Sequence, residues 1–293
     1  MGIRIEKDIV FGHARTGYRG GQGPMRDVAL KLDAYLPVAN GGKAAPALVM
    51  AFGGAFHRGS KESDAFSDGH GTSTAVAEYC RRFAALGVPS FSVEYRLAQA
   101  DPEPGARLLT EPDRVPMSRI NPVRAELGLG PIEPRAMAGI MEAAFDDVAD
   151  AVGFVKAQAD DFGIDPNRIV LGGFSAGGRC AMYGAFGKRI EVAGVIALSG
   201  PMVPVDAAAF LEKGGKVPPL LMVSGERDLD YVREFVPEID RQFRASGHEV
   251  DWAMVPGATH FYAAEAITAS GSTVFEVMLR SLDRWAGPIG EEE

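Results

Sequence analysis

From residue 45 onward, short continuous apolar runs alternate with longer amphipathic segments, and this rhythm constrains the fold more than any other feature of the chain. An apolar run without polar alternation is a strand covered on both faces. Such runs occupy 47–52, 89–95, 168–174, 192–199 and 219–224, followed by a more mixed run at 248–255. Between them a helical period predicts helices over 74–86, 137–162, 176–186, 231–246 and 272–286. In the longest, Ile140, Ala144, Val148, Ala151 and Val155 share one stripe. Strands alternating with helices imply right-handed crossovers and a doubly wound α/β fold, a mostly parallel central sheet flanked by helices. Upstream, 3–11 and 27–36 read as strands of an edge hairpin, with turns in the glycine-rich stretch 16–24 and at Asn40-Gly41-Gly42.

Composition removes several function classes. A chain of 293 residues can bury a substantial core without staples. Its net charge of −9 has the wrong sign for neutralising phosphates, so nucleic acid is not an expected partner. Part of that acidity, including the tail Glu291-Glu292-Glu293, reads as solvated surface. No apolar run approaches the ~18–20 residues of a membrane span. The N-terminal residues mix charges where a secretory signal would be apolar, and the expected location is the cytoplasm. Cys80 and Cys180 then read as free thiols.

Chemistry concentrates at Gly173-x-Ser175-x-Gly177, where a buried-type strand runs straight into a helix. That is the context of a nucleophile elbow, a turn so tight that its flanks tolerate little more than hydrogen. A serine needs a base, and the base needs an acid that fixes its tautomer, in the chain order Ser, acid, His. Of five histidines only His248 and His260 follow Ser175. His248 opens a strand at the opposite sheet edge, whereas His260 follows a strand end, which favours His260 as base. Asp228, in the first loop positions after 219–224, is the expected acid, with Asp230 and Glu226 as neighbours; Asp230 could equally cap the next helix. Oxyanion donors are expected in the backbone N–H of Ala176, and of Gly54 and Ala55 in the small-residue loop after 47–52.

These residues resemble the α/β-hydrolases, in particular the carboxylesterase/lipase-like branch with its His-Gly-Gly-Gly type oxyanion loop. The matching stretches are Gly53 to Ser60, Val93-Glu94-Tyr95-Arg96-Leu97-Ala98, the elbow, Gly225-Glu226-Arg227-Asp228 and Pro256-Gly257-Ala258-Thr259-His260-Phe261, in the family's order over about residues 27–287. The chain departs from that pattern twice. Phe52 stands where the loop usually begins with His, and the proline-rich excursion 98–135 is longer than usual.

The expected organisation is therefore a single α/β-hydrolase domain over 1–293 with 98–135 as a lid-like insertion. The expected activity is hydrolysis of small carboxylic esters through an acyl-enzyme on Ser175, with no cofactor and no metal. An amidase, arylformamidase or oligopeptidase could use the same triad, and a silent hydrolase fold could serve as a receptor. The loop from His57 to His70 carries acidic residues but matches no metal-ligand spacing, and it reads as solvated. Arg107, Arg114, Arg119, Arg124 and Arg135 of the excursion read as partners of nearby acids or as solvent-facing. The apolar residues of the last helix could pack on the sheet or against a second subunit.

Overall fold

The computed structural model describes residues 2–20, 23–38, 44–62 and 64–289. The turn expected at 40–42 and the acidic tail lie outside these residues. One eight-stranded sheet runs in the order β1-β2-β4-β3-β5-β6-β7-β8. Its strands are β1 (Ile3–Thr16), β2 (Arg26–Pro37), β3 (Ala45–Ala51), β4 (Ser90–Val93), β5 (Ile164–Phe174), β6 (Gly194–Leu198), β7 (Leu220–Gly225) and β8 (Val250–Val255). β1 and β2 form the expected antiparallel edge hairpin, β2 joins β4 antiparallel, and all further pairs are parallel.

Helices α1 (Val76–Ala85) and α8 (Val274–Ala286) cover one face, where Phe83 and Phe275 meet at 4.9 Å between ring centroids. α3 (Pro134–Ala157), α5 (Ala176–Met182) and α7 (Asp230–Ala245) cover the other, with Phe145 stacked on Tyr183. Two-sided cover explains the unbroken apolar runs, since every residue of β6 and β7 is buried. Val274, Met278 and Leu282 of α8 are buried, so that helix packs on the sheet. Cys80 and Cys180 are buried free thiols. Among the described residues no helix is long and apolar enough to cross a membrane.

Three segments differ from the sequence reading. The excursion 98–135 holds two 3₁₀ turns, Ala98–Ala100 and Pro112–Arg114, and a helix, α2 (Met117–Glu126). α2 has Pro122 in its interior and buries only Ile120 and Val123, too narrow a stripe to show a period. α6 (Pro204–Glu212) also went unread, a short helix opened by Pro204 with a weak apolar face. The long helix expected over 137–162 starts earlier, at Pro134, and ends at Ala157 before the single turn α4 (Ala159–Phe162), which stops at Gly163 in a left-handed conformation.

Candidate active site

The elbow sits where β5 ends and α5 begins. Ser175 has φ 53° and ψ −115°, a conformation that costs a non-glycine residue about 1–3 kcal/mol and persists only when its surroundings enforce it. The surroundings are tight backbone. A Cβ on Gly173 would lie 2.3 Å from the Gly177 carbonyl carbon, and one on Gly177 would lie 2.0 Å from the Ala51 oxygen. The Ser175 N–H donates to Leu198 O of β6 at 2.7 Å, while its carbonyl accepts from Arg179 N at 3.0 Å.

Two other predicted residues converge on that serine. His260, in the loop after β8, has Nε2 at 2.8 Å from Ser175 Oγ and Nδ1 at 2.6 Å from Asp228 Oδ1. A carboxylate can only accept, so Nδ1 carries the proton and Nε2 faces the serine hydroxyl as an acceptor. Asp228 itself is held in place. Oδ2 accepts from Ser199 Oγ at 2.5 Å and Gly225 N at 3.1 Å, and Oδ1 also accepts from Leu229 N at 2.8 Å. Ser199 Oγ in turn lies 2.8 Å from Tyr262 Oη, which donates to Val223 O. All three site residues are buried, Ser175 being 9% exposed. The alternatives lie elsewhere: the Asp230 side chain is fully exposed, and His248 packs against Phe243 before β8 begins.

The loop after β3 faces this chain of hydrogen bonds. Gly54 has φ 119°, and Ala55 and Phe56 also have positive φ, at 55° and 62°. No side chain fits at Gly54, whose Cβ would lie 1.9 Å from Arg58 O. His57 N and Arg58 N donate to Gly54 O, whereas the N–H groups of Gly54 and Ala55 donate to no acceptor among the described residues. Ala176 is the first residue of α5, where a backbone N–H has no intrahelical partner.

The missing histidine of the loop is replaced from two directions. Tyr95 stacks on Phe52 at 4.3 Å and its hydroxyl donates to Phe52 O at 2.8 Å. His57, expected on a solvated loop, is instead buried and donates from Nδ1 to Ala55 O at 2.7 Å. Its Nε2 accepts from Arg124 Nη1 of α2 at 2.9 Å, because a guanidinium can only donate. Burial, with Arg124 and Arg58 adding positive charge nearby, pushes the His57 pKa down, so the ring is neutral. The next residue after Tyr95, Arg96, ties the end of β4 to α3 through Asp147, whose pKa burial raises to about 6.

Sequence reasoning thus named the residues that meet but missed their supports, Ser199, Tyr262, Tyr95 and His57. Ser199 and Tyr95 carried a signal, each as the last residue of an expected strand at the same sheet edge. Of the excursion's arginines, Arg114 pairs with Asp206 of α6 at 2.7 Å, as an acid partner was expected, whereas Arg124 binds a histidine and Gly130 O.

Solved structures of other proteins share this architecture. Thermogutta terrifontis esterase 2, in a structure phosphorylated by paraoxon, superposes with TM-score 0.59 at 17% identity, covering 97% of this chain and 91% of that one. This chain has the α/β-hydrolase fold. Pyrobaculum calidifontis esterase superposes with TM-score 0.54 at 20% identity over 88% and 77% of the two chains. In sequence, a family model described as BD-FAE matches residues 135–201, from the start of α3 past the elbow. Acyl-protein thioesterase 1 of Gibberella zeae is 29% identical over 113 residues, 38% of this chain and 48% of that protein. Lysophospholipase-like protein 1 of Mus musculus is 31% identical over 100 residues, 33% of this chain and 42% of the other. The chain therefore spans less than half the length of these two relatives.

Proposed function

We propose that this chain is a serine hydrolase of small carboxylic esters. The observation that carries the reading is the continuous hydrogen-bond path Ser175 Oγ, His260, Asp228, on the sheet edge that also bears the N–H groups of the β3 loop. His260 Nε2 takes the hydroxyl proton as Ser175 Oγ attacks the ester carbonyl, and Asp228 stabilises the imidazolium that forms. Negative charge on the tetrahedral oxygen is met by the N–H groups of Ala176, Gly54 and Ala55. The imidazolium then protonates the departing alcohol. Water, deprotonated by the same ring, cleaves the acyl-enzyme and restores the serine.

Residues 98–135 act in this reading as the lid, tied to the oxyanion loop through Arg124 and His57. The esterase, thioesterase and lysophospholipase-like names of the similar proteins support an oxygen- or sulfur-ester substrate. The test is turnover of p-nitrophenyl acyl esters of increasing chain length by the wild type and by Ser175→Ala. The expected result is turnover lost by several orders of magnitude in the variant, since triad members act as a unit. Equal turnover by both proteins would overturn the mechanism. Turnover of amides but not esters by the wild type would replace the ester reading with an amidase one.

A further inference from the structure

The guanidinium of Arg179, on the first turn of the nucleophile's helix, is buried without a carboxylate partner among the described residues. Arg179 is 2% exposed, and neither Nη1 nor Nη2 finds a hydrogen-bond acceptor among the described residues. Buried polar groups are satisfied in nine cases out of ten or more, and a buried charge without a counter-charge is costlier still. Among the described residues this charge stacks on the face of Tyr231, 5.4 Å from the guanidinium carbon to the ring centroid. The nearby carboxylates are committed elsewhere. Asp206 accepts from Tyr183 Oη at 2.5 Å and from Arg114, and Asp228 is held by His260, Ser199, Gly225 and Leu229.

Position makes this orphan charge chemically pointed. Arg179 is four residues after Ser175 on one helical turn, and its N–H bonds the Ser175 carbonyl. Tyr231 lies in the first turn of α7, three residues after Asp228, so the guanidinium bridges the nucleophile's helix and the start of α7.

From this geometry we infer that Arg179 is the receptor for a carboxylate on the substrate, so that the preferred substrates are esters that carry a free carboxylate. A planar guanidinium with two free terminal nitrogens matches a carboxylate in a two-pronged hydrogen bond. The assignment rests on the hydrolase reading above and adds to it the chemical class of the substrate. The carboxylate could belong to the acyl part or to the alcohol part.

The experiment compares two isosteric pairs. Monomethyl glutarate against methyl pentanoate places the charge on the acyl side, and the acetate ester of 3-hydroxypropanoate against propyl acetate places it on the alcohol side. The readout is the ratio of kcat/KM, charged over neutral, in the wild type, Arg179→Met and Arg179→Lys. The wild type is expected to favour the charged member of one pair by about 10- to 100-fold, the range of a charge-assisted bidentate contact. Arg179→Met should bring that ratio toward one, and Arg179→Lys, a point charge without the fork, should keep only part of it. Being internal to each protein, the ratio is not moved by a merely structural loss of activity. Should Arg179→Met not fold, the fall in Arg179→Lys decides, together with competitive inhibition of the wild type by glutarate but not by pentanol. A wild-type ratio at or below one for both pairs, or a ratio unchanged by the substitutions, overturns the assignment. If the wild type cleaves none of the four esters, the hydrolase reading fails first. Calorimetric titration with glutarate then judges Arg179 alone: binding that Arg179→Lys weakens supports the carboxylate site, and no binding refutes it.

Discussion

Gly177→Ala should cripple catalysis without touching any side chain of the triad. The added Cβ would lie 2.0 Å from Ala51 O and 2.5 Å from Phe52 O, where real Cβ contacts essentially never come under 3.0 Å. Both oxygens belong to backbone that cannot easily yield. Ala51 ends β3 and is registered against Gly173 of β5 and Val93 of β4, and Phe52 O accepts the Tyr95 hydroxyl. The start of α5 therefore has to retreat from the β3 loop by about 1 Å, carrying the Ala176 N–H away from those of Gly54 and Ala55. A misplacement of about 1 Å typically costs ~10²-fold in rate, and loss of one oxyanion donor costs ~10²–10³-fold. We expect kcat for a p-nitrophenyl ester to fall within that range, with a stability loss of about 1–3 kcal/mol from overpacking. Gly178→Ala is the internal comparison, because its Cβ would meet Gly173 O at 3.0 Å and Gly200 Cα at 3.1 Å, contacts that small shifts relieve. The assay is steady-state kinetics beside urea unfolding of both variants. A kcat for Gly177→Ala within about threefold of the wild type, in a folded protein, would refute the claim that this glycine sets the distance between the two donor groups.

Asp228→Asn should lower kcat by about 10⁴-fold, because an amide at that place lets the His260 ring take the wrong tautomer, whereas the fully exposed Asp230→Asn should leave turnover near the wild-type level. Similar losses in both variants would reopen the choice of acid. His57 has its pKa lowered in the folded protein, so the unfolded chain binds that proton first as the pH drops; its contribution is complete above its ordinary value of 6.5 and drains away below it. The stability lead of the wild type over His57→Gln should accordingly shrink between pH 6.5 and 5 in urea titrations, and a lead independent of pH would contradict the neutral, Arg124-bound ring. Gly153→Ala, at an exposed place in α3 where a Cβ meets nothing within 4 Å, should stabilise the fold by about 0.5–1 kcal/mol. A loss of stability there would show that the helix depends on that glycine.

The central sheet was readable because burial on both faces leaves an unmistakable mark, a run such as Leu220-Leu221-Met222-Val223 with no polar alternation. That Ser175, Asp228 and His260 meet was readable for a related reason: each stands at or shortly after the end of an expected strand, so chain order and sheet edge restrict the candidates to a few. What stayed hidden depends on long-range packing. Nothing local marks Tyr95 as the ring that stacks on Phe52, or His57 as a buried brace rather than a loop residue, because their partners lie 43 and 67 residues away. The loop after β3 is braced by His57 from within the loop and by Tyr95 from just beyond β4, contacts that no motif encodes. α2 and α6 were missed because their short apolar faces, interrupted or opened by proline, fall below what periodicity can detect. Arg179 was in plain view inside the elbow's helix, yet its burial and the missing acceptor for its guanidinium, which set it apart from a surface arginine, show only in the packed structure.

The most direct test of the account is a rapid-mix experiment with p-nitrophenyl acetate, followed by acid quench and peptide mapping. The mechanism predicts nitrophenolate release ahead of acetate, and an acetyl group on the peptide that contains Ser175, absent from Ser175→Ala. Turnover by the wild type with no trapped acyl group, or an acyl group on another residue whose loss abolishes turnover, would contradict it.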